Sequence, residues 1–344
     1  MKNKALSFLL SVGSLLALYS FQNIKETFLT DQTALSYDQT LEKFLTTPTA
    51  LSYDQTFENV EAIDLEILTG SVKLVPSNSK KLRVKGVYDE DDFLVKVEQS
   101  GSRLKIFEKN KKNATYTSSS WELEMPAGLI LKGNLISGDL SVKGVEAEID
   151  GQAASGNVSI EDYRGNISWR TGSGRLKMNK STGRITFQTG SGNITAQDYE
   201  GKGQFNTGSG DISIHRSIGG FSANTGSGNV EGTDLEITSG SSFNSGSGNA
   251  SVVLGDVTQG DVSVASGSGN ASVDFDGHSF SGVLTMKCNK RDGSIKAPFS
   301  FDKEMEEEAQ IRRSQRKLVK IKRFGNEGVN IQVLTGSGKA VVQE

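Results

Sequence analysis

Two histidines, His215 and His278, and the aspartates Asp256, Asp261, Asp274 and Asp276 are the residues of this 344-residue chain best suited to acid–base chemistry. A glycan-cleaving enzyme would use a pair of such carboxylates, one donating a proton to the leaving oxygen and the other attacking or activating water. Their spacing also allows a simpler account. His215 stands beside Arg216 at a repeat position otherwise held by Glu161, Asn179, Gln197 and Thr233, which fits a solvated turn. The four aspartates fall near strand ends, where solvation accounts for them as well as catalysis does. Convergence of Asp256, Asp274 and Asp276 in one cleft is what the enzyme reading requires. Cys288 is the only cysteine, so neither an intramolecular disulfide nor a cysteine zinc site can form. The glycine-rich phrases lack the Gly-Lys-Ser/Thr step that opens a helix in a phosphate loop. No cofactor, metal or catalytic set is therefore expected.

Binding residues are the other candidates. Tyr163 and Tyr199 each follow an aspartate, Asp162 and Asp198, at equivalent repeat positions. They read either as a glycan-facing strip or as part of a charge-paired corner. Farther on, Glu304, Glu306, Glu307 and Glu308 precede a basic run that includes Arg312, Arg313, Arg316 and Lys317. That run suits contact with anionic lipid or polysaccharide, or pairing between its own acidic and basic halves. Net charge is only -3, which gives no general field for nucleic-acid binding.

These residues hang on a repeat. Gly138, Gly156, Gly174, Gly192, Gly210 and Gly228 follow one another at 18-residue intervals, mostly within Thr-Gly-Ser-Gly-Asn/Asp-Ile/Val. The next intervals, to Gly248 and Gly269, are 20 and 21 residues, and Thr335-Gly336-Ser337-Gly338 closes the chain. Units this regular stack on one another because none can bury its apolar face alone. Two residues after the motif glycine come Val158, Leu176, Ile194, Ile212, Val230, Ala250 and Ala271, and positions of the same parity continue the pattern. A second strand carries Ile167, Ile185 and Phe221, then Trp169, Phe187 and Phe205. Shared parity puts these side chains on one inward face. The sequence predicts an all-β, single-stranded parallel β-helix with coils of about 18 residues, ~4.8 Å apart.

Six residues after the motif glycine, Asp162, Lys180, Asp198, Arg216 and Asp234 alternate in charge, as an outward ladder between stacked coils would. In the phrase itself, glycine is expected to supply positive φ at a corner. Asn157, Asn193, Asp211, Asn229, Asn249 and Asn270 are expected to tolerate left-handed geometry and stack as a ladder, interrupted at Arg175.

Around the repeats, residues 1–22 resemble an export signal, with Lys2 and Lys4 before an apolar stretch, and an uncleaved anchor is the alternative. Residues 23–56 read as a polar linker in which the segment Phe28–Thr40 returns almost letter for letter as Phe44–Thr56, a period of 16. The solenoid domain spans 57–344. It divides into N-terminal strands over 57–134, regular repeats over 135–275, and C-terminal strands with the charged insert over 276–344. Lys303–Ile311 reads as a short helix or an excursion loop.

The alternating strands, Met125-Pro126, Ser137-Gly138-Asp139-Leu140, the Thr-Gly-Ser-Gly-Asn-Ile repeats and the closing Val329–Val342 segment resemble the DUF4097/DUF4098 family of bacterial β-strand-repeat proteins, called candidate adhesins. The resemblance covers Phe57 to Glu344. It implies a right-handed parallel β-helix in the cell envelope or outside the cell, with no catalytic residues to transfer. The expected function is that of an exported, non-enzymatic surface-binding or structural solenoid in the periplasm, envelope or exterior. Its expected partner is a glycan or another envelope protein, with membrane contact confined to the N-terminal segment or the basic insert. An envelope-stress sensor and a polysaccharide-active β-helix enzyme are the alternatives.

Overall fold

The computed structural model describes residues 50–111, 118–308, 316–325 and 328–344. They form a β-helix without an α-helix, whose compact unit begins at Leu51. The export signal, most of the linker, and Arg312 and Arg313 lie outside the described residues.

From Gly138 to Thr225 each coil repeats the last in register, one position under its equivalent 18 residues on. Val158 pairs with Leu140 and Leu176, and the pairing continues through Ile194, Ile212, Val230, Ala250 and Ala271. Ile167, Trp169, Phe187 and Phe205 stack along the second strand. These side chains are almost completely buried, so alternation in the sequence becomes columns in the interior. The extra residues near Ser239 and Gln259 enlarge two coils without shifting Val262 from its place over Ser241.

The phrase Thr-Gly-Ser-Gly is a staple across the corner. Its Thr or Ser points inward at every copy from Thr171 to Thr335 and is more than nine-tenths buried. Thr207 donates its hydroxyl to the Gly192 carbonyl of the preceding coil at 3.0 Å and accepts the N–H of Gly210 at 3.1 Å. The second glycine is needed because backbones approach closely: a Cβ on Gly174 would stand 1.9 Å from the carbonyl oxygen of Gly156. Positive φ is not the shared reason, since only Gly138, Gly156 and Gly192 of this column show it within the left-handed range.

Nor do the motif's Asn and Asp residues adopt left-handed geometry, as the sequence suggested. That conformation belongs to the outward column, where Asp162, Lys180, Asp198, Arg216 and Asp234 have φ between 43 and 55°. The Asn/Asp ladder exists and binds backbone. Asn229 Oδ1 accepts the N–H of Asn249 at 2.8 Å, Asn249 Oδ1 that of Asn270 at 2.9 Å, and Asn270 Oδ1 that of Lys339 at 2.9 Å. Arg175 donates its N–H to Asn157 Oδ1 at 3.2 Å but has no side-chain acceptor to offer the next coil, so the ladder restarts at Asn193.

Both ends depart from sequential stacking. The first strands are β1 (Ala50–Phe57), β2 (Ala62–Pro76), β3 (Leu82–Asp89), β4 (Phe93–Ser100), β5 (Arg103–Asn110), β6 (Ser119–Met125), β7 (Leu129–Ser137) and β8 (Leu140–Lys143). β2 lies between the coil made by β5 and β6 and the coil made by β7 and β8. Antiparallel β4 covers β5, antiparallel β3 covers β6, and β1 pairs with β3. At the other end, Val329–Thr335 is inserted between Val262–Ser266 and Gly282–Asn289. The antiparallel strands Arg316–Phe324 and Lys303–Glu308 then close the edge. Each terminal segment is thus pinned inside the stack, and each end is finished by antiparallel strands that shield parallel edges.

Two sequence expectations change here. The described strands begin with β1 at Ala50, inside the segment read as linker, and β1 pairs with β3. Lys303–Glu308 is a strand and not a helix or loop, since its glutamates face the basic strand across an antiparallel pair.

Candidate functional site

The proposed tyrosine strip is not on the surface. Tyr163 and Tyr199 are 0 and 1 % exposed, because the left-handed residue before each turns the next side chain inward. The Tyr163 hydroxyl donates toward the carbonyls of Ala147 at 2.5 Å and Asn166 at 3.0 Å. That of Tyr199 donates to Gly183 at 2.8 Å. Burial raises both phenols well above their ordinary range. They are core anchors. The charged residue before Tyr199 does stay outside, and Arg216 holds Asp198 through bonds of 2.9 and 3.2 Å. That contact, helped by Gln197, lowers the Asp198 carboxyl below its usual range.

The basic insert pairs internally where it is described. Arg316 reaches Glu306 at 3.3 Å, Lys320 reaches Glu304 at 3.0 Å, and Lys317 lies in register opposite Glu307. Glu306, contacted by Lys290 and Arg316, has its carboxyl lowered below the ordinary range. The acidic residues are distributed among separate tasks. Asp256 contacts His278 through Nδ1 at 2.8 Å, and Asp274 accepts the N–H of Asp276 at 2.9 Å within one turn. Asp261 accepts the N–H of Asn330 at 2.8 Å on the inserted strand. His215 is half-buried on a coil strand, and its carbonyl accepts the Ser217 hydroxyl at 2.8 Å.

The structure brings together a different set of residues. Asn134, Gln152, Arg170, Gln188, Asn206, Asn224 and Asn244 align in register on successive coils. Asn244 donates to Asn224 Oδ1 at 2.8 Å, Asn224 to Asn206 Oδ1 at 3.0 Å, and Gln152 to Asn134 Oδ1 at 3.1 Å. Arg170 Nε donates to Gln188 Oε1 at 3.3 Å. One strip of planar hydrogen-bonding groups therefore runs across seven coils, at the ~4.8 Å step of stacked strands.

At its N-terminal end the strip borders a groove of about 770 Å³ lined by Ile67, Leu68, Phe107, Leu135, Ile136, Ala153 and Ala154 together with Glu66, Glu108, Asn134, Gln152 and Arg170. The groove follows from a substitution in the repeat. Where later coils carry the first glycine of Thr-Gly-Ser-Gly, earlier coils carry Ala154 and Ile136, so side chains stand up from a corner that is bare elsewhere. Ile136 is 57 % exposed. Glu108, itself 1 % exposed, accepts the Trp121 indole N–H at 2.7 Å and the Leu68 N–H at 3.0 Å, which fixes one wall. An apolar trough edged by amides and a guanidinium is suited to an extended ligand that offers both C–H faces and hydroxyls. Sequence reasoning passed over Phe107, Glu108, Ile136 and Arg170. The signal available for Ile136 was its place in Ile136-Ser137-Gly138, aligned with Gly172-Ser173-Gly174.

Fold and surface together define a parallel β-helix with a polar ladder face. The chain belongs to the Toastrack DUF4097 family, whose pattern matches residues 60–331. Its fold is similar to that of a candidate adhesin from Bacteroides fragilis, at 12% identity and a TM-score of 0.35, over 87% of this chain and 98% of that one. It is also similar to a candidate lipid-binding protein from Parabacteroides distasonis, at 13% identity and a TM-score of 0.32, over 86 and 96% of the two chains. A candidate cell adhesion protein from Clostridium sporogenes aligns at 11% identity and a TM-score of 0.21, over 86 and 99%. No curated protein matches the chain significantly.

Proposed function

We propose that this protein is an exported, non-enzymatic binding solenoid of the cell envelope or cell exterior. Its ligand is a glycan laid along the amide strip and seated in the Ile136 groove. The observation that carries this reading is the continuity of the two features: Asn134, Gln152 and Arg170 belong both to the strip and to the groove lining. Repeated amides at a fixed step suit a polymer, because each further coil offers the next unit a similar contact. A sugar ring's C–H face fills apolar space such as that beside Phe107 and Ile136, while its hydroxyls bond to amides and guanidinium. Export is supported by Lys2, Lys4 and the apolar stretch after them.

The test is binding of the purified full chain to a panel of neutral and acidic bacterial surface polysaccharides, comparing wild type with Ile136→Asp and Arg170→Ala. Both residues are exposed, so each variant is expected to keep its thermal midpoint and to lose affinity by at least about tenfold. Equal affinity in all three chains overturns the site. Protease accessibility on intact and lysed cells tests location independently: digestion only after lysis places the protein in an internal compartment and removes the exterior assignment.

A further inference from the structure

The linker duplication acquires a meaning once β1 is seen in place. β1 is an edge strand held by few contacts, all towards the N-terminal cap. It pairs with β3, and its Tyr53 ring lies 6.2 Å from that of Trp121, which also stacks on Tyr88 at 5.9 Å. Asp54 takes a two-pronged bond from Arg83, at 2.8 and 2.7 Å. Phe57, the last residue of the strand, packs against the core, and just past it Glu58 pairs with Lys81 at 2.5 Å.

Every one of these contacts has a second donor in the chain. Ala34-Leu35-Ser36-Tyr37-Asp38-Gln39-Thr40 is identical to Ala50–Thr56, and Leu41 and Glu42 follow where Phe57 and Glu58 stand. A tolerated spacer needs no such match. Here the preserved positions include the aromatic ring, the carboxylate for Arg83, the apolar residue that ends the strand and the carboxylate for Lys81.

We infer that the outer edge of β3 is a strand-acceptor site with two ligands in one chain, β1 and the first copy Ala34–Glu42, which takes β1's place at an offset of 16 residues. Main-chain bonds to β3 supply the generic part of the recognition, and Trp121, Arg83 and Lys81 read the side chains. Docking the first copy leaves the residues between it and Val60 as a closed loop. Loop closure of that length disfavours the first copy by on the order of tens-fold, so β1 is the major occupant. Covalent linkage gives the first copy an effective concentration near millimolar, which favours it over the same segment of another molecule. Exchange shortens the chain that precedes the docked strand by one 16-residue period.

Hydrogen exchange of the Leu82–Asp89 amides in the full chain tests this, with four proteins compared: wild type, Tyr37→Ala/Asp38→Ala, Tyr53→Ala/Asp54→Ala, and the four-site variant. The substituted residues of β1 lie at the periphery, so circular dichroism should show the coils intact throughout. The first-copy variant is expected to match wild type, and the second-copy variant to lose β3 protection by no more than the tens-fold closure penalty, on the order of tens-fold. The four-site variant is expected to lose on the order of a further tenfold or more beyond the second-copy variant. Exposure as large in the second-copy variant as in the four-site variant overturns the proposal, and so does a four-site variant that stays protected. Rescue that grows with protein concentration and brings a dimer also overturns it, because the strand would then come from another molecule.

Discussion

The hydroxyl of Thr225 donates to the carbonyl oxygen of Gly210 in the coil before it at 2.8 Å, and its Oγ1 accepts the N–H of Gly228 at 3.1 Å. One small buried side chain thereby satisfies two backbone groups at a corner where strand pairing is interrupted. Ser266 does the same with Gly248 and Gly269, at 2.7 and 2.8 Å.

Thr225→Val keeps the shape and removes both bonds, leaving a carbonyl and an N–H without their partner in a dry corner. Stability is expected to fall by about 1–3 kcal/mol, measured by denaturant unfolding. Thr225→Ser, which copies the natural residue at 245 and 266, should lose less than half as much.

Gly210→Ala drives a Cβ to 1.9 Å from the Gly192 carbonyl oxygen, a backbone atom that cannot move aside without parting two coils. A loss above about 4 kcal/mol, or failure to fold, is expected. Gly101→Ala is the contrast. Its φ is +60° but its Cβ would meet open space, so the left-handed penalty of about 1–2 kcal/mol is the whole effect.

Tyr163→Phe deletes a hydroxyl that serves the Ala147 and Asn166 carbonyls inside the stack. A stability loss of about 1–2 kcal/mol with unchanged polysaccharide affinity is expected. Loss of affinity at full stability would return Tyr163 to the binding surface.

The Asp198–Arg216 contact predicts a pH signature. Because the folded-state carboxyl titrates below its unfolded value, its contribution is present above the unfolded Asp range of about 3.9 and is lost as pH falls through the lower folded value. The pair is solvent-facing, so its contribution is expected to stay under about 1 kcal/mol. The difference in thermal midpoint between wild type and Asp198→Asn should be constant from pH 5 to 7 and shrink below about pH 4.

The regular coils were legible in the sequence, and the ends were not. Trp169, Phe187 and Phe205 recur at a fixed interval, and parity alone sends them inward. Asp198 and Arg216 were also legible as an outward pair. Tyr199, one residue on, was not, because a left-handed residue breaks the parity count and reverses the face of its neighbour. Phe107 and Ile136 share a groove although they lie 29 positions apart, since β2 separates their coils in space but precedes both in the chain.

The sequence by itself determined the coil. An 18-residue interval with inward aliphatic and aromatic positions has a stacked, parallel solution, since neighbouring coils supply the burial that one coil lacks. It also determined the glycine and Thr/Ser positions, whose roles are local to each corner. Only the tertiary structure decided the order in which the end coils stack, the burial of Tyr163 and Tyr199, the fusion of amide strip and groove, and the docking of β1. Each of those depends on which distant strands become neighbours, and strand edges recognise one another through backbone groups that every residue type except proline carries alike.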